Sequence, residues 1–74
     1  MRHLEYDLKL ALIIKSIRKQ KLMKQYILAK ALNMQQATYS RVEKGTIAIT
    51  PGQLHIIAHE LGTTSSRILL QMEQ

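Results

Sequence analysis

A chain of 74 residues, 46% hydrophobic, buries only about 60–65% of its unfolded surface, so it forms one small domain and leaves little room for a deep catalytic cleft. With no cysteine it has no disulfide framework and no thiolate metal site, and its longest apolar run, Leu10 to Ile14, is too short for a membrane span or a signal-peptide core. Eleven Lys and Arg against five Asp and Glu leave a net charge of +6, which favours a polyanionic partner by long-range attraction and counterion release.

The charge is uneven. Residues 1–24 hold seven basic and two acidic side chains, residues 25–45 hold three and one, and residues 46–74 hold one and two. Taken in order, residues 7–20 carry Leu10, Ile13, Ile14 and Ile17 at i, i+3, i+4 and i+7, the spacing of an amphipathic helix. Asp7 is the expected cap. Leu8, Ala11 and Leu12 widen the apolar surface beyond one stripe, and Arg18, Lys19 and Lys21 suit the negative end of the helix dipole. Residues 22–24 form a connection.

Residues 25–45 read as two short helices around a tight turn. Ile27, Leu28, Ala31 and Leu32 recur at helical spacing, and Ala29 leaves room for a close neighbour. Asn33 tolerates the left-handed conformation that ends many helices, and Met34 is placed to plug the corner. A second run with Tyr39 and Val42 proceeds to Gly45, the favoured residue just past a helix end. Thr46 to Ile49 forms a loop whose two isoleucines read either as core or as contact residues. At Thr50-Pro51-Gly52-Gln53, Thr caps, Pro takes the first helical position and Gln closes a capping box. Leu54, Ile57, Ala58 and Leu61 give the next apolar face, which Gly62 ends. Thr63 to Ser66 offers a cap for a final short helix with Ile68, Leu69, Leu70 and Met72. Strand signals and internal repeats are absent, so one all-α domain of five helices spanning residues 1–74 is expected.

Gln25, Leu28, Ala29, Leu32, Ser40, Val42, Glu43 and Gly45, followed by Leu54, Ala58, Leu61 and Gly62, resemble the motif of the Cro/C1-type helix-turn-helix (XRE) family of phage repressors. The likeness extends over about residues 10–70 and implies a compact five-helix, lambda-repressor-like fold. It also implies a sequence-specific DNA-binding transcriptional regulator, a repressor acting as a homodimer on a two-fold symmetric operator, with the helix at about 36–44 in the major groove. A cytoplasmic site of action in a bacterium or phage-infected cell goes with it. Positions that depart from the family are Leu22, where glycine is common, and Lys24 and Gln35, where small capping residues are usual.

Carried onto this chain, the motif assigns base contacts to Gln35, Gln36, Ala37 and Arg41. The chemistry agrees. A glutamine amide pairs with adenine N6 and N7, arginine pairs bidentately with guanine O6 and N7, and an alanine methyl touches a thymine methyl. Without the motif, Gln35, Gln36 and Arg41 would be ordinary solvated residues. Gln25 matches the phosphate-contacting glutamine that opens the family's second helix, where unpaired amides and the helix dipole favour an anion. Lys24, Lys44 and Thr46 flank it as further phosphate contacts, which position the protein without reading sequence. Arg18 and Glu43 match a structural ion pair between the first and third helices, expected to be partly buried.

His55 and His59, one helical turn apart beside Glu60, have a metal-compatible spacing but no evident third ligand, so no metal site or other cofactor is expected. No nucleophile and base constellation points to an enzyme. Met23, Met34 and Met72 read as core or interface filler. Surplus apolar surface on Leu4, Leu8 and Leu12, and on Ile68, Leu69, Leu70 and Met72, supplies candidates for the dimer interface, or else a slightly overfilled core. The alternative reading is a protein-interaction module, such as an antitoxin or accessory subunit that also regulates its own operon. No effector domain is expected, so a signal would act through dimerisation, a partner protein or abundance.

Overall fold

The fold is that of a computed structural model, which describes residues 4–74. Arg2, counted above among the N-terminal basic residues, lies outside the described residues. Five helices follow in order: α1 (Leu4–Gln20), α2 (Gln25–Ala31), α3 (Gln36–Glu43), α4 (Pro51–Glu60) and α5 (Ser65–Leu70), the last running into a 3-10 turn at Gln71–Glu73.

Asp7 does not cap α1. The helix is already running at Leu4, and Asp7 sits in its first turn beside Glu5, where a carboxylate complements the positive helix end. The capping box of α4 forms: the Gln53 amide N–H donates to Thr50 Oγ1 at 3.1 Å, and the Thr50 amide N–H donates to Gln53 Oε1 at 3.0 Å. Thr64 caps α5 by accepting from the Arg67 amide at 3.2 Å.

The first four helices all end in the same hydrogen-bonded turn. Leu22 and Asn33 take it at φ 56°, Gly45 at 77° and Gly62 at 72°. In each case the next amide reaches back five residues, as Met23 N–H to Arg18 O (3.1 Å), Met34 N–H to Ala29 O (2.8 Å), Thr46 N–H to Arg41 O (3.1 Å) and Thr63 N–H to Ala58 O (2.9 Å). The left-handed residue lets the chain reverse while two orphan carbonyls stay bonded. Asn33 and both glycines suit this geometry, whereas Leu22 adopts it against its Cβ.

All five helices contribute to one core of Leu10, Ile14, Leu28, Ala29, Tyr39, Val42, Leu54, Ile57, Ala58, Leu61 and Ile68. Met23, Met34 and Met72 pack half-buried around it, as do Ile47 and Ile49, so the two loop isoleucines are core-flanking residues. Ile68 is a correction to the interface candidates. It is fully buried, because α5 turns it inward against α4 and α1, and its side chain is unavailable to another molecule. Helices α2 and α3 pack on each other, and α1 packs against α3 and against α5 and the 3-10 turn.

Candidate nucleic-acid interface

The unit at residues 25–45 is held from within by apolar packing and from behind by charge. Leu28, Ala29, Tyr39 and Val42 are all buried, and α2 and α3 pack directly on each other. Residues 32–35 make the turn between them, with Asn33 setting its reversal. Behind α3, Arg18 Nε donates to Glu43 Oε2 at 2.7 Å and Arg18 Nη2 to Glu43 Oε1 at 3.0 Å, a bidentate pair with both residues buried. Arg18 Nη1 also donates to Met23 O at 2.7 Å, which ties the α1–α2 connection to the same guanidinium. Gln25 Nε2 completes the cluster by donating to Glu43 Oε1 at 3.1 Å.

Burial alone would raise the Glu43 pKa, but the hydrogen bonds from Arg18 and the polar groups of Tyr39 and Gln25 outweigh it and hold the carboxyl below its ordinary range. Burial, and then the neighbouring Glu43, push the Tyr39 phenol far above its usual value. The Tyr39 hydroxyl is buried without a hydrogen bond of acceptable geometry, so its influence on Glu43 is one of proximity.

On the opposite side, Gln35, Gln36, Ala37 and Arg41 are all exposed. Gln35 occupies the position before α3 in extended conformation and its side chain makes no capping bond, so the amide projects outward. Gln36, Ala37 and Arg41 lie on neighbouring turns of one helix face. Ser40, half-buried, falls between them at i+4 from Gln36 and i+3 from Ala37. Its hydroxyl belongs to the same face, and helical spacing would have flagged it.

The proposed phosphate contacts divide. Lys24 and Lys44 are exposed, one at the start of α2 and one just past α3. Gln25 gives one amide hydrogen to Glu43 and retains the second for a partner. Thr46 donates both its amide and its hydroxyl to Arg41 O, each at 3.1 Å, so an anion can take the hydroxyl proton only if that bond breaks.

The N-terminal positive charge is spread over several faces. Arg18 is spent on Glu43, and Lys9 Nζ donates to Met72 O at 2.9 Å and Gln74 O at 2.8 Å, closing the C-terminal turn. Lys21 extends toward Gly62 at the end of α4. Among the candidates for a dimer surface, Leu4 and Leu12 are 61% and 62% exposed, Leu8 46%, Leu69 37% and Leu70 62%, while Met72 is half-buried. His55 and His59 are exposed and line a shallow hollow with Thr63, Thr64, Ser65 and Ser66. Among the described residues no three His, Asp or Glu side chains converge as metal ligands would, and no helix is long and apolar enough to cross a membrane.

Two short helices at a fixed angle, with an outward polar face on the second, define a helix-turn-helix domain. A sequence model of the helix-turn-helix family matches residues 14–68, which is most of the chain. The protein belongs to the Cro/C1-type (XRE) helix-turn-helix family, whose members are DNA-binding transcriptional regulators.

Solved structures carry the same fold. The clp gene regulator ClgR of Corynebacterium glutamicum superposes in two crystal structures with TM-scores of 0.85 and 0.83 at 22% identity, covering 92% of this chain and 72% or 88% of the ClgR chains. Apo-HppE matches with a TM-score of 0.73 at 32% identity over 84% of this chain, which spans only 35% of the HppE chain. No curated protein sequence gives a significant match.

Proposed function

We propose that this protein is a transcriptional repressor that binds a two-fold symmetric operator as a homodimer, with α3 in the major groove. The observation that carries the reading is the pairing of an exposed face, Gln35, Gln36, Ala37 and Arg41, with a buried bidentate ion pair that fixes the helix from behind. A reading helix has to be rigid, because base discrimination depends on hydrogen bonds that lose strength steeply with misalignment. Lys24, Gln25 and Lys44 grip phosphates on either side, and occupancy of the operator blocks transcription sterically.

Symmetric half-sites put two reading helices about 34 Å apart. The protomer measures 27 × 24 × 20 Å, so two touching copies have closer centres than that, and each α3 must lie on the side away from the two-fold axis. Helix α5 meets this demand best, because it packs on α1 and α4 rather than on α3. Leu69 and Leu70, exposed on α5, are therefore the interface residues of choice.

Selection of bound sites from a random duplex library tests the reading. The selected sites are expected to be palindromic. Gln36→Ala should lose about 1–3 kcal/mol on the preferred site and relax one position, whereas Lys44→Ala should weaken all sequences alike and reduce the salt slope by about 1. Equal discrimination by the Gln36 variant would reject base readout there. Sedimentation of Leu70→Glu as a monomer, with the parent a dimer, checks the interface.

A further inference from the structure

Leu4, Leu8 and Leu12 follow one another at i+4 along α1, and the line continues through Lys15 and Lys19. Leu4 and Leu12 are each more than half exposed, which is unusual for large apolar residues aligned on one helix face. Asp7 lies off this line and the exposed Glu5 borders it at i−3 from Leu8, so the stripe is acidic at its start and basic beyond Leu12, where Lys15 and Lys19 continue it. Leu8 is the fixed point. A Cβ built on Gly45 would fall 2.6 Å from Leu8 Cδ2 and 3.1 Å from Leu8 Cα, which places the stripe directly against the end of α3, beside Lys44 and Thr46.

We infer that this face of α1 is a docking surface for an acidic amphipathic helix of another protein, and that docking excludes DNA. Charge complementarity selects the occupant: leucines on the partner cover Leu4, Leu8 and Leu12, while its carboxylates meet Lys15 and Lys19. A second copy is the competing occupant that sedimentation separates below, because an antiparallel pair would set Glu5 of one α1 against Lys15 and Lys19 of the other. Exclusion follows from position. A helix about 10 Å across laid over Leu8 and Gly45 occupies the space that a sugar-phosphate backbone at Lys44 needs, and its carboxylates compete for the same positive field. The docking step is independent of the operator; the exclusion step rests on the DNA-binding reading.

The test uses the full chain with two designed helical peptides that share a leucine stripe, one flanked by glutamates and one by lysines, followed by fluorescence anisotropy. The glutamate peptide should bind at least about tenfold more tightly than the lysine peptide at low salt, and the preference should shrink as salt rises. Leu12→Ser and Lys19→Glu should each weaken it about fivefold or more, with unchanged melting by circular dichroism because both side chains are exposed. A duplex carrying a selected operator should release the bound peptide. Equal affinity for the two peptides, or no loss in the Leu12→Ser variant, overturns the docking surface. So does a dimer-to-monomer shift of Leu12→Ser in sedimentation, which would make the occupant a second copy. Peptide that stays bound at saturating duplex overturns the exclusion step. A chain that binds the peptide but selects no duplex supports the docking surface and counts against the operator reading.

Discussion

Leu22 holds a left-handed backbone at φ 56° while its side chain is 92% exposed, so it gains almost no packing in return for its strain. A non-glycine residue in that region costs about 1–2 kcal/mol, and glycine gives back about 0.4–1 kcal/mol through the entropy of the unfolded chain. Leu22→Gly should therefore stabilise the protein by about 0.5 kcal/mol, read as a rise in Tm of about 2–4 °C. Gly45 is the opposite case. With φ at 77° and Leu8 Cδ2 2.6 Å from an added Cβ, Gly45→Ala should cost about 2 kcal/mol, and pairing it with Leu8→Ala should recover the share due to the Leu8 side chain but not the backbone strain or the 3.1 Å approach to Leu8 Cα. Chemical denaturation of the four variants in that cycle separates the two. Tyr39→Phe removes a buried hydroxyl that makes no hydrogen bond, so its stability should stay within about 0.5 kcal/mol of the parent.

At the scale of the elements, the Arg18 and Glu43 pair joins α1 to α3 and reaches α2 through Gln25 and the connection through Met23 O. Removing Arg18 alone leaves a buried carboxylate and should cost about 3–5 kcal/mol; replacing both partners with apolar residues should cost less, and additive losses in a double-mutant cycle would refute the coupling. Protonation adds a second reading of the same cluster. The Glu43 pKa is lowered on folding, so its contribution is complete above the ordinary glutamate value of about 4.3 and is lost as pH falls through the folded value. Glu43→Gln should flatten the acid limb of stability against pH. In Arg18→Met the sign reverses, because burial then raises the Glu43 pKa, and that variant should gain stability on acidification from neutral pH. Both follow from melting temperatures across pH 2 to 7, a range set by the ordinary carboxylate values near about 4.

Local signals were legible where a few neighbouring residues decide the outcome. Thr50, Pro51 and Gln53 close their capping box within four positions, and Asn33 reverses the chain where its side chain predicts. Leu22 was visible as a departure from the family glycine, but its strain was not, since the left-handed turn belongs to the hydrogen bonds from Leu22 to Lys19 and from Met23 to Arg18. The start of α1 was misplaced because Asp7 has the chemistry of a cap and of a first-turn residue alike.

For the whole molecule, the positive charge that favoured a polyanion turned out to be divided. Lys9 bonds across 63 and 65 positions to the C-terminal turn and Arg18 across 25 to Glu43, leaving a smaller set beside α3. On the proposed reading, the salt slope of DNA binding should accordingly reflect only the cations beside α2 and α3, near Lys24 and Lys44, and fall well short of the full charge. The order of helices, their periodicity and the polar face of α3 are determined by the sequence itself, because helical spacing and capping act over one to four residues. Whether Ile68 faces a partner or the core, whether the Thr46 hydroxyl is available to a phosphate, and where the leucine stripe of α1 lies relative to α3 were decided only by the tertiary structure. Each depends on which distant elements pack together, and that is fixed by burying all five helices around one core.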